Sequence, residues 1–197
     1  MRMFRFAFFV CPLLALIGCS YPETVDSRVQ FQEKDSVALI TTEYINLSSD
    51  ETDPSKLKED FDDLLHSWKD DAFIVDAADS GLYVKKRDVF LRDEQLVGRV
   101  EGMMSKKKVD ESYEFFTGGG ERILLLDSHD KPEVLETNGK ILKTDKNILI
   151  IWPDDAKELH WKVRSSALPG PFSKNKEFMV KAFKDYQAGR WTPSKKR

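Results

Sequence analysis

The chain reads as an α+β protein, an antiparallel meander-rich sheet with one amphipathic helix near each end. Three observations predict it. From Ala72 to Arg164, short apolar runs alternate with turn chemistry, at spacings too short for the crossover helices of a parallel sheet. Before that stretch, Leu57, Phe61, Leu64, Leu65 and Trp68 recur at i, i+4, i+7, i+8 and i+11, a single helical stripe. After it, Met179, Phe183 and Tyr186 share one face of a second helix, with Gly189 placed to stop it.

Taken in order, residues 20–35 ("SYPETVDSRVQFQEKD") are polar with little periodicity and read as a tether. "SVALITTEYINL" (36–47) is rich in β-branched and aromatic residues and reads as a strand. In the acidic loop that follows, Asp53 supplies a helix cap and Pro54 fits the first turn. The candidate strands are then "AFIV", "GLYV", "DVFL", "QLVGRV", "SYEFF", "RILLL", "EVLE", "KILK", "NILIIW" and "ELHWKV". Asn138-Gly139, between "EVLE" and "KILK", is a hairpin signal, because both central residues of such a turn favour positive φ. "ILLL" and "ILIIW" lack alternation and are expected in the most buried strands. The Pro/Gly break "SSALPGPF" precedes the final helix, and "RWTPSKKR" reads as a basic tail, frayed beyond Trp191.

The first twenty residues carry a different signal. Arg2 and Arg5 precede a 13-residue apolar run, Phe6 to Gly18, too short to span a bilayer as a stable helix. A basic start, a short apolar middle and a small-residue end describe an export signal. Leu16-Ile17-Gly18-Cys19 resembles the lipobox of bacterial lipoproteins. The resemblance implies that the signal is cut before Cys19, that its thiol carries a diacylglyceryl group and that the new terminus is acylated. Ser20, rather than Asp, after the cysteine resembles the pattern of outer-membrane sorting in a Gram-negative host. Two or three acyl chains make such attachment stable where one does not. The expected organisation is therefore a signal over 1–18, a lipid-anchored flexible tether over 19–35, a single globular α+β domain over 36–192 and a basic tail over 193–197. With Cys11 removed and Cys19 lipidated, no thiol remains for a disulfide, a metal or catalysis.

Charge is unevenly spread. The mature chain carries 29 basic and 34 acidic groups, net −5, but residues 19–80 are net −11 and residues 156–197 net +8. Such asymmetry marks either an anionic partner such as a membrane surface, or acidic and basic ends that pack side by side.

Catalytic and cofactor motifs find little support. "TGGGER" (117–122) lacks phosphate-loop spacing and reads as a hairpin turn. "DSHD" (127–130) sets Ser beside His and Asp, but a triad is assembled from separated positions, so it too reads as a turn. His66, His129 and His160 form no metal-binding pair, and "DAADSG" lacks the alternating oxygen ligands of a calcium loop. No cofactor or metal is expected. Two surface features are singled out. One combines Lys162, Arg164, Lys174, Lys176, Lys181, Lys184 and Arg190 with Trp161, Phe172, Tyr186 and Trp191, chemistry suited to an anionic lipid headgroup or glycan phosphate. Its bland alternative is a solubilising helix face whose aromatics are core. The other is "MMSKKK" (103–108), either an adaptable apolar contact or a strand end running into a solvated loop.

These readings lead to a non-enzymatic, membrane-anchored envelope lipoprotein that binds or scaffolds another envelope component. Nucleic acid is not expected as a partner of an exported chain. An alternative is a carrier of an apolar ligand inside a curved sheet, which at this coarse level resembles the half-barrel lipoproteins that receive lipidated proteins. A cell-envelope hydrolase is a third, requiring a histidine or carboxylate pair brought together in a pocket.

Overall fold

The structure, a computed structural model, describes residues 20–32, 36–127, 132–165 and 171–194. Residues 1–18, expected to be an export signal, Cys19, expected to carry lipid, and His129 lie outside them. The architecture is α+β, with every strand pair antiparallel.

The expected tether is the first correction. Ser20–Tyr21 (β1) pairs with Ser48–Ser49 (β4), and Thr24–Phe31 (β2) lies inside a six-stranded sheet between Val37–Ile45 (β3) and Glu158–Ser165 (β12). Val25, Ser27 and Val29 alternate into the core, and Ser27 is hydrogen-bonded at 3.3 Å to Thr42 on β3. A buried hydroxyl paired across the sheet makes a core strand look polar in sequence.

That sheet is ordered β5-β6-β3-β2-β12-β9, with β5 at Leu82–Arg92, β6 at Gln95–Ser105 and β9 at Pro132–Thr137. "GLYV" and "DVFL" are one long strand, β5, with an irregularity between Val84 and Lys86, and the β5–β6 turn uses Asp93 and Glu94 at positive φ. A second, four-stranded sheet is ordered β10-β11-β8-β7, with β7 at Phe116–Gly118, β8 at Glu121–Asp127, β10 at Lys140–Lys143 and β11 at Asn147–Pro153. β7 and β8 join as expected through Gly119 and Gly120, at φ +65° and +82°, values glycine adopts freely.

Asn138-Gly139 does not close a hairpin, which is a second correction. β9 pairs with β12 and β10 with β11, so the chain turns a corner from one sheet to the other. Asn138 holds the corner: its Oδ1 accepts from Trp152 Nε1 at 2.7 Å and from the His160 amide at 2.9 Å, and its Nδ2 donates to the Glu158 carbonyl at 3.0 Å. A Cβ on Gly139 would lie 2.7 Å from the Trp152 ring, so the corner has no room for a larger residue.

Among the described residues there are four helices, two more than the two expected. α1 (Pro54–Lys69) has the expected cap, Asp53 accepting from the Ser55 amide at 2.8 Å, and buries Leu57, Phe61, Leu64, Leu65 and Trp68. α2 (Asp71–Asp79) takes the "AFIV" expected as a strand. Asp70 caps it through the Ala72 amide, and Phe73 and Ala77, four residues apart, are its buried pair. α3 (Lys106–Ser112) turns the three lysines of "MMSKKK" into the first turn of a helix anchored by buried Val109. α4 (Phe172–Gln187) is tied to the β4 region by Asn175, whose Nδ2 donates to the carbonyls of Ser49 and Glu51 at 2.8 Å each.

The helices and the small sheet cover the same face of the large sheet. Trp68 packs edge-on to Tyr44 and fills the space above Gly98, while Arg87 on β5 donates to the Lys69 and Asp70 carbonyls at the end of α1. On the β2–β12 side, Trp161 meets Trp152 of the small sheet, with Tyr113 and Phe115 between them. All four rings are buried.

Candidate functional site

The two unalternated runs define the most unusual surface. In β8, Leu124 and Leu126 point inward and are buried, as are Ile150 and Trp152 in β11. The intervening residues point the other way. Register aligns Phe116, Ile123, Ile151 and Lys140 in one row across the four strands, and Leu125, Leu149 and Leu142 in a second. Phe116 is 61% exposed and Leu142 46%, and Ile123, Leu125, Leu149 and Ile151 are only half-buried. These strands are thus apolar on both faces, but only the inner face is sealed, so they are not the most buried strands that were expected; β3 is more deeply buried. Six apolar side chains form a continuous open surface, of the kind that marks binding on soluble proteins.

Lysines border one side of it. Lys140 ends the first row on β10; Lys143, in the row of Ile148 and Leu126, takes the other face of that strand, and Lys146 lies in the turn that follows. All three are exposed, and none of their ammonium groups has an ion-pair partner among the described residues. Glu121, two residues before Ile123, lies on the same outward face in the row of Gly118 and Pro153; Asp154 follows β11, and Asp145 lies in the turn between Lys143 and Lys146. β10 is also an open strand edge, and lysines there discourage a further strand from adding to the sheet.

The basic groups singled out from the sequence are not one patch. Lys162 and Arg164 lie on the outer face of the large sheet, where Lys162 is 3.9 Å from Asp26 and Arg164 3.0 Å from Glu133. Lys174, Lys176, Lys181 and Lys184 lie on α4, and Arg190 just beyond it. Lys176 pairs with Glu23 at 2.9 Å, Lys184 with Glu94, and Arg190 with Asp185 at 2.8 Å. Lys176, Lys181 and Lys184 line a groove of about 550 Å³ with Asn46, Gln95, Glu94 and Glu177. Its charge is largely balanced. Burial alone would raise the Glu23 carboxyl, but hydrogen bonds from Lys176 and Asn46 outweigh it and hold the group below its ordinary value. Of the associated aromatics, Trp161 and Phe172 are core, whereas Tyr186 and Trp191 are half-buried. Trp191 donates to Asp62 at 2.7 Å, and the same carboxylate takes both the amide and the hydroxyl of Ser194, so the first part of the expected tail is strapped to α1.

The outer face of the large sheet is a charge mosaic. Glu43 receives Arg92 at 2.7 Å and Arg99 at 2.5 Å; burial would raise its carboxyl, and the two guanidiniums override this and lower it. His160 is buried there, with Nε2 at 3.0 Å from Asp26 and Nδ1 at 3.9 Å from Glu136. His66 is exposed on α1 and faces Asp70 at 3.2 Å. The two histidines share no partner, and no serine or threonine hydroxyl is bonded to either ring among the described residues. No group of three or more His, Cys, Asp or Glu among the described residues is placed to hold a metal ion, and no described helix is long and apolar enough to cross a membrane. Where a carrier would hold its ligand between the sheets, the rings of Trp152, Trp161, Tyr113 and Phe115 meet at centroid distances of 5.2–6.0 Å.

The open face went unread in the sequence, although "ILLL" and "ILIIW" were its signal: an apolar run in a strand means two apolar faces, and burial of the second is a tertiary property. Comparison with protein families, with curated proteins and with solved structures finds no match to this chain.

Proposed function

We propose that this chain is a membrane-anchored bacterial envelope lipoprotein, non-enzymatic, that binds another envelope component through the open face of its small sheet. The observation that supports binding is that face: six apolar side chains in two cross-strand rows, two of them large and well exposed. Keeping such a surface in water is costly for a monomer, and a partner relieves the cost. The anchor rests on the sequence, through Leu16-Ile17-Gly18-Cys19 and the basic and apolar segments before it.

Both parts are tested in cells. Cys19→Ser moves the chain from the membrane fraction to the soluble fraction, or leaves it with its signal uncut. A photo-cross-linking amino acid at Phe116 or Leu142 gives adducts with an envelope component, whereas the same group at Arg28, on the outer face of the large sheet, does not. Equal labelling at all three positions would remove the binding role.

A further inference from the structure

We infer that the domain rests directly on the bilayer that holds Cys19, with the end of the molecule formed by β1, β4 and the start of α4 against the headgroups. This rests on the anchor proposed above and goes beyond it, giving the anchored domain an orientation and a height. The observation that carries it is the missing tether. A flexible segment over 19–35 would give the domain a reach of about 22 Å, at roughly 5–6 Å times the square root of its length. Instead the fold begins at Ser20, one peptide beyond Cys19 and about 3.8 Å from it between Cα atoms.

The residues that follow the cysteine are tied to β3, β4, β12 and α4. Ser20 and Tyr21 pair with Ser49 and Ser48, and Ser20 is buried. The Glu23 amide donates to the Ile45 carbonyl, and the Glu23 carbonyl accepts from the Ser165 amide, both at 3.0 Å. The Glu23 carboxylate accepts from Asn46 Nδ2 at 2.6 Å and from Lys176 at 2.9 Å. β4 is in turn fixed to both long helices. The Ser48 hydroxyl donates to the Phe172 carbonyl at 3.1 Å, Asn175 to the Ser49 carbonyl, and the Ser49 hydroxyl to buried Asp60. Lengthening the link would break buried hydrogen bonds, so it stays short.

A compact body joined to a plane by so short a link meets it near the point of attachment, and the register says which end that is. Thr24, Ile45 and Arg164 stand together at the attached end of the large sheet. Phe31, Val37 and Ser105 close the other end, about 24 Å along β2. Ser173, exposed in the first turn of α4, belongs to the attached end; Lys107, exposed in the first turn of α3, belongs to the far one. Asp50 and Glu51 follow β4, and Lys174 and Lys176 open α4, so the attached end carries both signs. The link, and not charge, holds it to the bilayer. A partner of the open face is then met within the height of one domain, about 40 Å, of the membrane.

The test uses the lipidated chain, purified from bacterial membranes and placed in phosphatidylcholine vesicles that contain a lipid with a fluorescence-quenching headgroup. Ser173→Cys or Lys107→Cys carries the fluorophore; the sequence has no other cysteines than Cys11, which leaves with the signal, and Cys19, which bears lipid. The label at 173 is quenched several-fold more than the label at 107, without anionic lipid and at high salt alike. A Gly/Ser linker of about twenty residues between Cys19 and Ser20, with a reach of about 25 Å, brings both labels to the same low quenching. Equal quenching in the parent overturns the inference, as does quenching at 173 that survives the linker. The intact mass separates the two readings. A chain with diacylglycerol on its first residue and equal labels keeps the anchor and loses the orientation; a chain without lipid loses both.

Discussion

Replacing Asn138 by Ala removes the polar side chain that joins the two sheets, and the structure sets the expected cost. Two donors lose their acceptor: Trp152 Nε1, on a side chain only 1% exposed, and the amide of buried His160. A buried donor left without a partner costs about 1–3 kcal/mol. The corner itself reaches solvent, so water replaces part of what is lost, and the bond to the Glu158 carbonyl is exposed and worth little. The net is about 2–3 kcal/mol, which for a domain of this size lowers the melting temperature by roughly 5–10 °C. Asn138→Asp separates the causes. It keeps both acceptor contacts and loses only the donor, so it costs about 1 kcal/mol. Urea unfolding followed by tryptophan fluorescence, with thermal melting followed by circular dichroism, measures both variants. An Ala variant within about 0.5 kcal/mol of the parent refutes the reasoning, as does an Asp variant as unstable as the Ala one.

Gly98→Ala places a Cβ 2.5 Å from the Trp68 ring and 3.1 Å from Leu47, so it destabilises by about 1–3 kcal/mol, read from the urea midpoint. Glu43→Gln removes the charge that Arg92 and Arg99 hold. Because the folded-state value of Glu43 is lowered, its contribution is present above the ordinary carboxylate range and is lost as pH falls through the lowered value. The variant is therefore about 1–2 kcal/mol less stable at neutral pH, and the gap closes in strong acid; a gap independent of pH would rule the charge out. Asp60 runs the other way, raised by burial, with Glu51, Asp50 and Asp63 adding to it and the Ser49 hydroxyl opposing. Stability is then greatest below the ordinary carboxylate value and falls as pH rises through the raised one. Asp60→Asn keeps an acceptor for Ser49 and abolishes that fall, so unfolding curves of variant and parent coincide in acid and separate, variant higher, at neutral pH.

Legibility in the sequence followed how local each element's causes are. α1 was readable because its cap, its first-turn proline and its apolar stripe all lie within sixteen consecutive residues. β2 was not, because Ser27 owes its place in the core to Thr42, fifteen positions away. "AFIV" illustrates the ambiguity of a short apolar run: the Asp70 cap and the Phe73–Ala77 spacing favour a helix, yet the run alone fits a strand. α3 offers one buried residue in seven, too few for any period to show. At Asn138-Gly139 neither the hairpin pairing nor the positive φ expected of its turn is found, since the partner of β9 is a strand more than twenty residues on. For the candidate site the apolar runs were visible, but the open side of a sheet is defined by what fails to cover it, and no sequence window contains that.

The place of β2 also governs how the chain comes to be folded. It begins the large sheet in sequence yet sits in its interior, and its contact with β12 joins residues as far apart as Asp26 and His160, separated by 134 positions. Closing so long a loop comes late and slowly. Until residues 158–165 exist, β2 can pair only with β3, and its other edge stays open. A nascent chain thus remains unfinished, and threadable, until most of its length has been made. Loss of the last forty residues would leave β2 as a bare edge ready to recruit other chains.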